Sequence, residues 1–332
     1  MTTNPPSIDR SDLQAALDQA RRLQIGLSIV NGAELYERQF EPRKFVVDGL
    51  IKRGDCVLLA GRPKSGKSWL LLQLAQAIDT GKPFLGRATT KCSVLYLALE
   101  DGAQRIHERQ HIRKWKPEAA CFAFGMLPLS DDGLDQLRNA AHAFDVVVID
   151  TLRAACGAGV DENDNAEMGA IVQSLADYAH TECKTILISH HTRKGDAEDA
   201  FDLIRGAGAI RGAYDVGVVI QRKPKEAEAI LRVESRDVEA DDMTIKFEGV
   251  TGWSYEGDGA KIDDIRAGKR VVTALQELGD DQTKKEIAQH LGISESGAHQ
   301  QLLGAEREGL VIRRKDSTAK GRKAADLWSL KP

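Results

Sequence analysis

The chain has 332 residues, of which 42% are hydrophobic and 29% charged, and a formal net charge of -4. That length holds one full α/β domain plus a smaller unit, and the slightly acidic balance excludes a global attraction to polyanions, so any nucleic-acid surface must be local. No apolar run nears the roughly 18 residues of a membrane span, the N-terminus MTTNPPSIDR has no signal-peptide pattern, and the five cysteines form no CxxC pair, so a cytoplasmic protein with buried, reduced cysteines is expected.

Residues 1–44 read as an arm in which Ser11 and Gln14 form a capping box for a short helix carrying Leu13, Ala16, Ala20 and Leu23. From 45 to 256, β-type apolar runs alternate with helical stretches, the pattern of a wound, mostly parallel sheet. Strands are predicted over 56–60, 94–99, 146–149, 185–189 and 216–221, and helices over 67–78, 103–115, 134–143 and 166–180. Three later strands, over 229–234, 243–248 and 252–255, follow one another without helices and read as an antiparallel extension. The glycine-rich GDGAK at 257–261 reads as a linker.

Residues 262–332 have a different grammar. A helix over 271–278 precedes a second one opened by Thr283 and Glu286, a turn at Gly292 and a third helix from Ser294. Two strands, 310–314 and 325–330, flank the basic KDSTAKGRK, and the whole predicts a small winged helix-turn-helix domain. Its third helix would present Ser296, His299 and Gln300 to duplex DNA while Arg313, Arg314, Lys315, Arg322 and Lys323 meet phosphates. Winged helices also serve as protein-docking modules. The low aromatic content of 5% gives no base-stacking platform.

Chemistry concentrates in the first half. Residues 61–68 read GRPKSGKS, a complete GxxxxGK[ST] phosphate loop between a predicted strand and a predicted helix. Gly61 and Gly66 permit backbone angles that aim N–H groups at phosphate oxygens, and the helix adds its positive dipole end. Lys67 would reach the β and γ phosphates and the Ser68 hydroxyl a Mg²⁺ ion; Arg62, Pro63, Lys64, Ser65 and Trp69 complete the nucleotide-lining stretch. In FDVVVIDT, Asp150 closes a strand where a carboxylate can hold Mg²⁺ beside Ser68. VLYLALEDG ends another strand with Glu100, the candidate general base for an attacking water, and Asp101, a candidate cap for the next helix. ILISHHTRKG supplies His190 and His191 as γ-phosphate sensors, on opposite faces of their strand. Arg205, Arg211 and Arg222 are candidates for completing a neighbour's site in an oligomer. The polar segment 192–203 reads as a functional loop without obvious packing residues, and 157–167 as a second flexible loop.

GRPKSGKSWLLLQLA, VLYLALEDG, VVIDTLR, SHHTRKG and IRGAGAIRGAYDV together resemble, in order and spacing, the RecA-like ATPase core of RepA-type hexameric plasmid helicases and their phage and island relatives. The resemblance spans about residues 33–256. It implies ATP at the loop around Lys67, Mg²⁺ near Ser68 and Asp150, a catalytic Glu100 and a sensing His191. It further implies a homo-oligomeric, hexameric ring with single-stranded DNA in its channel, and replication of a mobile element as the setting. The winged helix is an addition to that core. The alternatives are an ATP-controlled DNA-binding regulator that unwinds nothing and, with the same loop, a kinase.

Overall fold

Segments such as VLLAG and VVVI carry no polar residue on either face, so a strand made of them is stable only inside a sheet covered on both sides. The computed structural model bears this out for residues 30–331, excepting 130–131, 158–159, 162–163, 194, 196, 198, 224, 240–241, 250 and 316–325, which it does not describe. Residues 1–43 and 44–332 form two units. The described part of the first is α1 (Gly32–Glu37), capped by the Asn31 side chain, which accepts from the Ala33 N–H. The helix expected around Ser11 and Gln14 lies outside the described residues.

The second unit holds a large, mostly parallel α/β sheet. Its parallel strands are β3 (Cys56–Gly61), β4 (Val94–Ala98), β5 (Ala120–Ala123), β6 (Val146–Asp150), β7 (Thr185–His191) and β8 (Val216–Arg222). β9 (Glu228–Ser235), β10 (Met243–Phe247) and β11 (Trp253–Asp258) extend it antiparallel, as expected. The order is β11-β10-β9-β8-β3-β7-β6-β4-β5, so β7 stands between the strand leading into the phosphate loop and the strand ending in Asp150. A two-stranded hairpin, β1 (Phe45–Val47) with β2 (Ile51–Lys52), precedes the sheet and was not expected.

Alternation along the strands sorts the core into two layers. Val57, Leu59, Tyr96, Val146, Val148 and Leu187 pack with α2 (Lys67–Thr80) on one face. Leu58, Ala60, Leu97, Val147, Ile149 and Ile188 pack on the other face with α4 (Gly133–Ala141), α5 (Leu152–Ala155) and α6 (Asn165–Glu182); α3 (Ala103–Ile112) belongs to the first face through Ile106. All of these are close to fully buried, which is the main favourable term for a sheet of this kind. Cys56, Cys92 and Cys156 are buried as expected, but Cys121 on the outermost strand and Cys183, in the left-handed turn that ends α6, are exposed.

Two expectations about loops fail. Residues 257–261 are no linker: β11 runs to Asp258 and α8 (Gly259–Leu278) begins at the next residue. Gly257, at φ +139°, sits where the β10–β11 register shifts, so it serves a bulge. Segment 192–203 does pack, because Phe201 and Leu203 are buried in a 3₁₀ turn (Ala200–Leu203), followed by the short α7 (Ala207–Ile210).

After α8 come α9 (Lys284–Leu291), α10 (Glu295–Arg307) and a three-stranded sheet of β12 (Gln282–Thr283), β13 (Val311–Lys315) and β14 (Asp326–Leu330), ordered β12-β14-β13. Val271, Leu275, Ile287, Leu302, Val311 and Trp328 form their own core. Thr283 and Glu286 make the expected capping box, and Ser294 caps α10. The first of these helices is 20 residues long, well beyond the 271–278 expected, and it contacts β9, β10 and β11.

Candidate nucleotide site

The loop between β3 and α2 is shaped by its glycines. Gly66 has φ +103°, and a Cβ there would lie 2.5 Å from Cζ2 of Trp253; a side chain would meet both the wrong dihedral and a wall. Lys64 also has positive φ. Ser65 Oγ is buried with no hydrogen-bond partner. Lys67 is 5% exposed, its Nζ 3.0 Å from the Gly61 carbonyl, 3.2 Å from that of Arg62 and 3.2 Å from Nδ1 of His191. Burial brings its ammonium down to about 8, against the pull of Asp150 and Glu100 in the other direction.

Asp150 is 4% exposed at the end of β6 and receives two hydroxyls: Ser189 donates to Oδ1 at 2.6 Å and Tyr96 to Oδ2 at 2.8 Å. Burial, then the neighbouring Asp150, keeps the Tyr96 phenol well above its ordinary range, so it stays a donor. The Asp150–Thr151 peptide is cis. Thr151 turns back across the strand ends, and its hydroxyl donates to Glu100 Oε1 at 2.7 Å. The two acids ending the β4 segment thus part company. Asp101 is held by Arg105 at 2.7 Å and Arg109 at 2.5 Å along α3, whereas exposed Glu100 stands on the Asp150 side.

The register of β3 with β7 pairs Gly61 with His191 and Ala60 with His190. His191 therefore joins Lys67 on the loop side. Burial, then the charge of Lys67, lowers its pKa. His190 is not brought into this cluster: it is fully buried on the opposite face, its Nε2 donating to the Arg205 carbonyl at 3.0 Å, and burial pushes it down to about 4. A backbone tie links the loop to the segment after β7, since the Thr192 N–H donates to the same Gly61 oxygen at 3.2 Å, and Arg62 donates to the Gly195 carbonyl at 2.6 Å.

Other expected site residues are placed elsewhere. The Trp69 ring is engaged between α2 and β10, edge-on to Phe247 and beneath Arg109. Arg211 is fixed within its own chain by Glu234, Asp199 and Asp202, and Arg222 lies over the Phe247 and Trp253 rings. The Arg205 backbone closes the 192–205 segment on His191. In the C-terminal part, Ser296 and Gln300 are exposed on α10, but His299 is half-buried against Trp328. Arg313 pairs with Glu306 and Asp326, Arg314 with Asp281, and Lys315 with Asp326; Arg322 and Lys323 lie outside the described residues. Tyr96, Ser189 and Thr151 escaped the sequence reading, although alternation from Asp150 places Tyr96 and Ser189 on its face.

The residues present fit a nucleoside triphosphate with a divalent cation. Ser65 offers an orphaned hydroxyl within the loop, and each Asp150 oxygen, with one donor, keeps a lone pair for a metal-bound water. Among the described residues no group of three or more His, Cys, Asp or Glu holds a metal by itself, so the cation would depend on phosphate oxygens as well.

A model of the AAA domain family matches residues 19–197. No curated protein matches the sequence. Among solved structures, a KaiC-like protein of the hyperthermophilic archaeon Pyrococcus horikoshii OT3 is similar at 15% identity and a TM-score of 0.47, covering 65% of this chain and 99% of that one.

Proposed function

Since the match takes in more than half of its length, the chain belongs to the AAA domain family, and from that premise we propose that it is a Mg²⁺-dependent ATPase that acts on DNA. One observation carries the catalytic part: Lys67, His191, Asp150 and the Thr151-oriented Glu100 gather at the C-terminal ends of neighbouring parallel strands, the end at which open α/β sheets bind ligands. In this reading the loop N–H groups and Lys67 bind the phosphate tail, Ser68 and Asp150 hold the ion, His191 senses the γ phosphate, and Glu100 accepts a proton from the attacking water. Bound Mg²⁺ would neutralise phosphate charge. Glu100→Gln should keep ATP binding and lose about 10² to 10⁴ in turnover. Unchanged hydrolysis would remove Glu100 from the mechanism.

The DNA part rests on motif order and on the C-terminal helices, read as a winged helix. We take the chain to form a hexameric ring, RepA-like, with a single strand in its channel and duplex bound through α10 and the β13–β14 strands, in replication of a plasmid, phage or island. A second reading is an ATP-controlled DNA-binding regulator that unwinds nothing; in both readings the acid partners of Arg313, Arg314 and Lys315 blunt a phosphate-binding wing. ATP turnover measured with and without single-stranded DNA, together with a forked-duplex opening assay, separates the two.

A further inference from the structure

The phosphate loop is braced from outside by a residue 187 positions away. Trp253, the first residue of β11, is 3% exposed and lays its indole against Gly66, with Nε1 donating to the Gly66 carbonyl at 3.3 Å. The same carbonyl accepts the Leu70 N–H at 3.0 Å, so the indole adds a second donor to an oxygen already turned along α2. In a planar trans peptide the carbonyl and the next N–H point opposite ways. Holding the Gly66 oxygen toward the indole therefore turns the Lys67 N–H toward the mouth of the loop, among the unpaired donors of the first helical turn.

The indole itself is locked. Gln73, on α2, donates to the Trp253 carbonyl at 2.7 Å and accepts from its N–H at 2.8 Å. Phe247 and the Arg222 guanidinium close on the ring, with centroid distances of 5.1 and 5.2 Å. Arg113 fastens the turn ahead of it through the Thr251 carbonyl. Gln73 thus clamps both main-chain groups of this buried tryptophan.

We propose that Trp253 is a positioning residue for the triphosphate loop, setting the Gly66–Lys67 peptide so that the loop accepts a polyphosphate without rearranging. The proposal rests on the nucleotide-binding reading and adds to it a residue outside the motif. It requires that the loss on substitution be felt by the phosphates and not by the base. The test is displacement of a fluorescent ATP analogue by ATP and by inorganic tripolyphosphate, in wild type, Trp253→Phe and Gln73→Ala, the last leaving the indole intact but unclamped.

Trp253→Phe keeps a ring and removes the donor, so both competitors should weaken by the same factor, about five- to tenfold for one neutral hydrogen bond. Gln73→Ala should weaken both by a smaller common factor. Equal affinities in wild type and both variants overturn the proposal, as does a loss confined to ATP, which would place the indole on the base. A wild-type protein that binds neither competitor removes the nucleotide reading, and the proposal with it; wild-type binding with unaffected variants removes the proposal alone.

Discussion

Nζ of Lys67 lies 3.2 Å from Nδ1 of His191. A lysine ammonium only donates, so this contact is a hydrogen bond in the tautomer whose ring proton is on Nε2. Both groups are displaced downward, His191 by burial and by Lys67, Lys67 by burial to about 8. The sign follows for binding: the lysine charge that attracts phosphate is lost as pH rises through about 8. Affinity for the fluorescent ATP analogue should be steady near pH 7 and fall between pH 8 and 9.5. An affinity flat to pH 9.5 would mean that Lys67 keeps its proton in the loop.

Thr151 presents Glu100 with a hydroxyl from the Asp150 side, whereas Asp101 is held by Arg105 and Arg109. Thr151→Val should lower ATP turnover about tenfold, the worth of one hydrogen bond to a charged group, while nucleotide affinity stays within twofold. Steady-state kinetics beside equilibrium binding read this directly. A variant losing affinity and turnover together would assign Thr151 to the loop instead.

His190 makes the protein acid-labile in a defined window. Its folded pKa of about 4 lies below the ordinary 6.5, so between those values the unfolded chain binds more protons and stability falls as pH falls. The loss should reach roughly 3 kcal/mol by pH 4. Urea midpoints from pH 7.5 to 4 should therefore drop less steeply in His190→Gln than in wild type. Parallel slopes would show that the buried ring is not what the acid attacks.

Asp281 and Asp326 neutralise the arginines and lysine of β13. If that strand meets DNA, Asp281→Asn with Asp326→Asn should tighten duplex binding and steepen its dependence on salt by up to about two phosphate contacts. Fluorescence anisotropy at several salt concentrations measures both. No change in either would turn the C-terminal part toward protein partners.

What could be read in advance follows from range. β3, β4, β6, β7 and β8 were legible because unbroken apolar runs admit little else, and Lys67, Asp150, Glu100 and His191 because each stands at a strand end or in a spaced motif. β5 was not, since Ala120–Ala123 is half-buried and four residues long, with no periodicity to detect. GDGAK looked like a linker because glycine marks a bulge and a loose connection alike; only pairing with Met243 and Thr244 distinguishes them. Phe201 and Leu203 were masked by their charged neighbours. Trp253 and Gln73 carry no local signal, as they meet across 180 residues of chain.

Gly61 offers one oxygen to two donors, the Lys67 ammonium and the Thr192 amide. A lysine drawn off toward phosphate removes one donor from that oxygen and leaves the amide in place at the start of the 192–205 segment. News of an occupied loop would then cross to the neighbouring strand through one main-chain oxygen, with the Lys67 side chain as its exchangeable link.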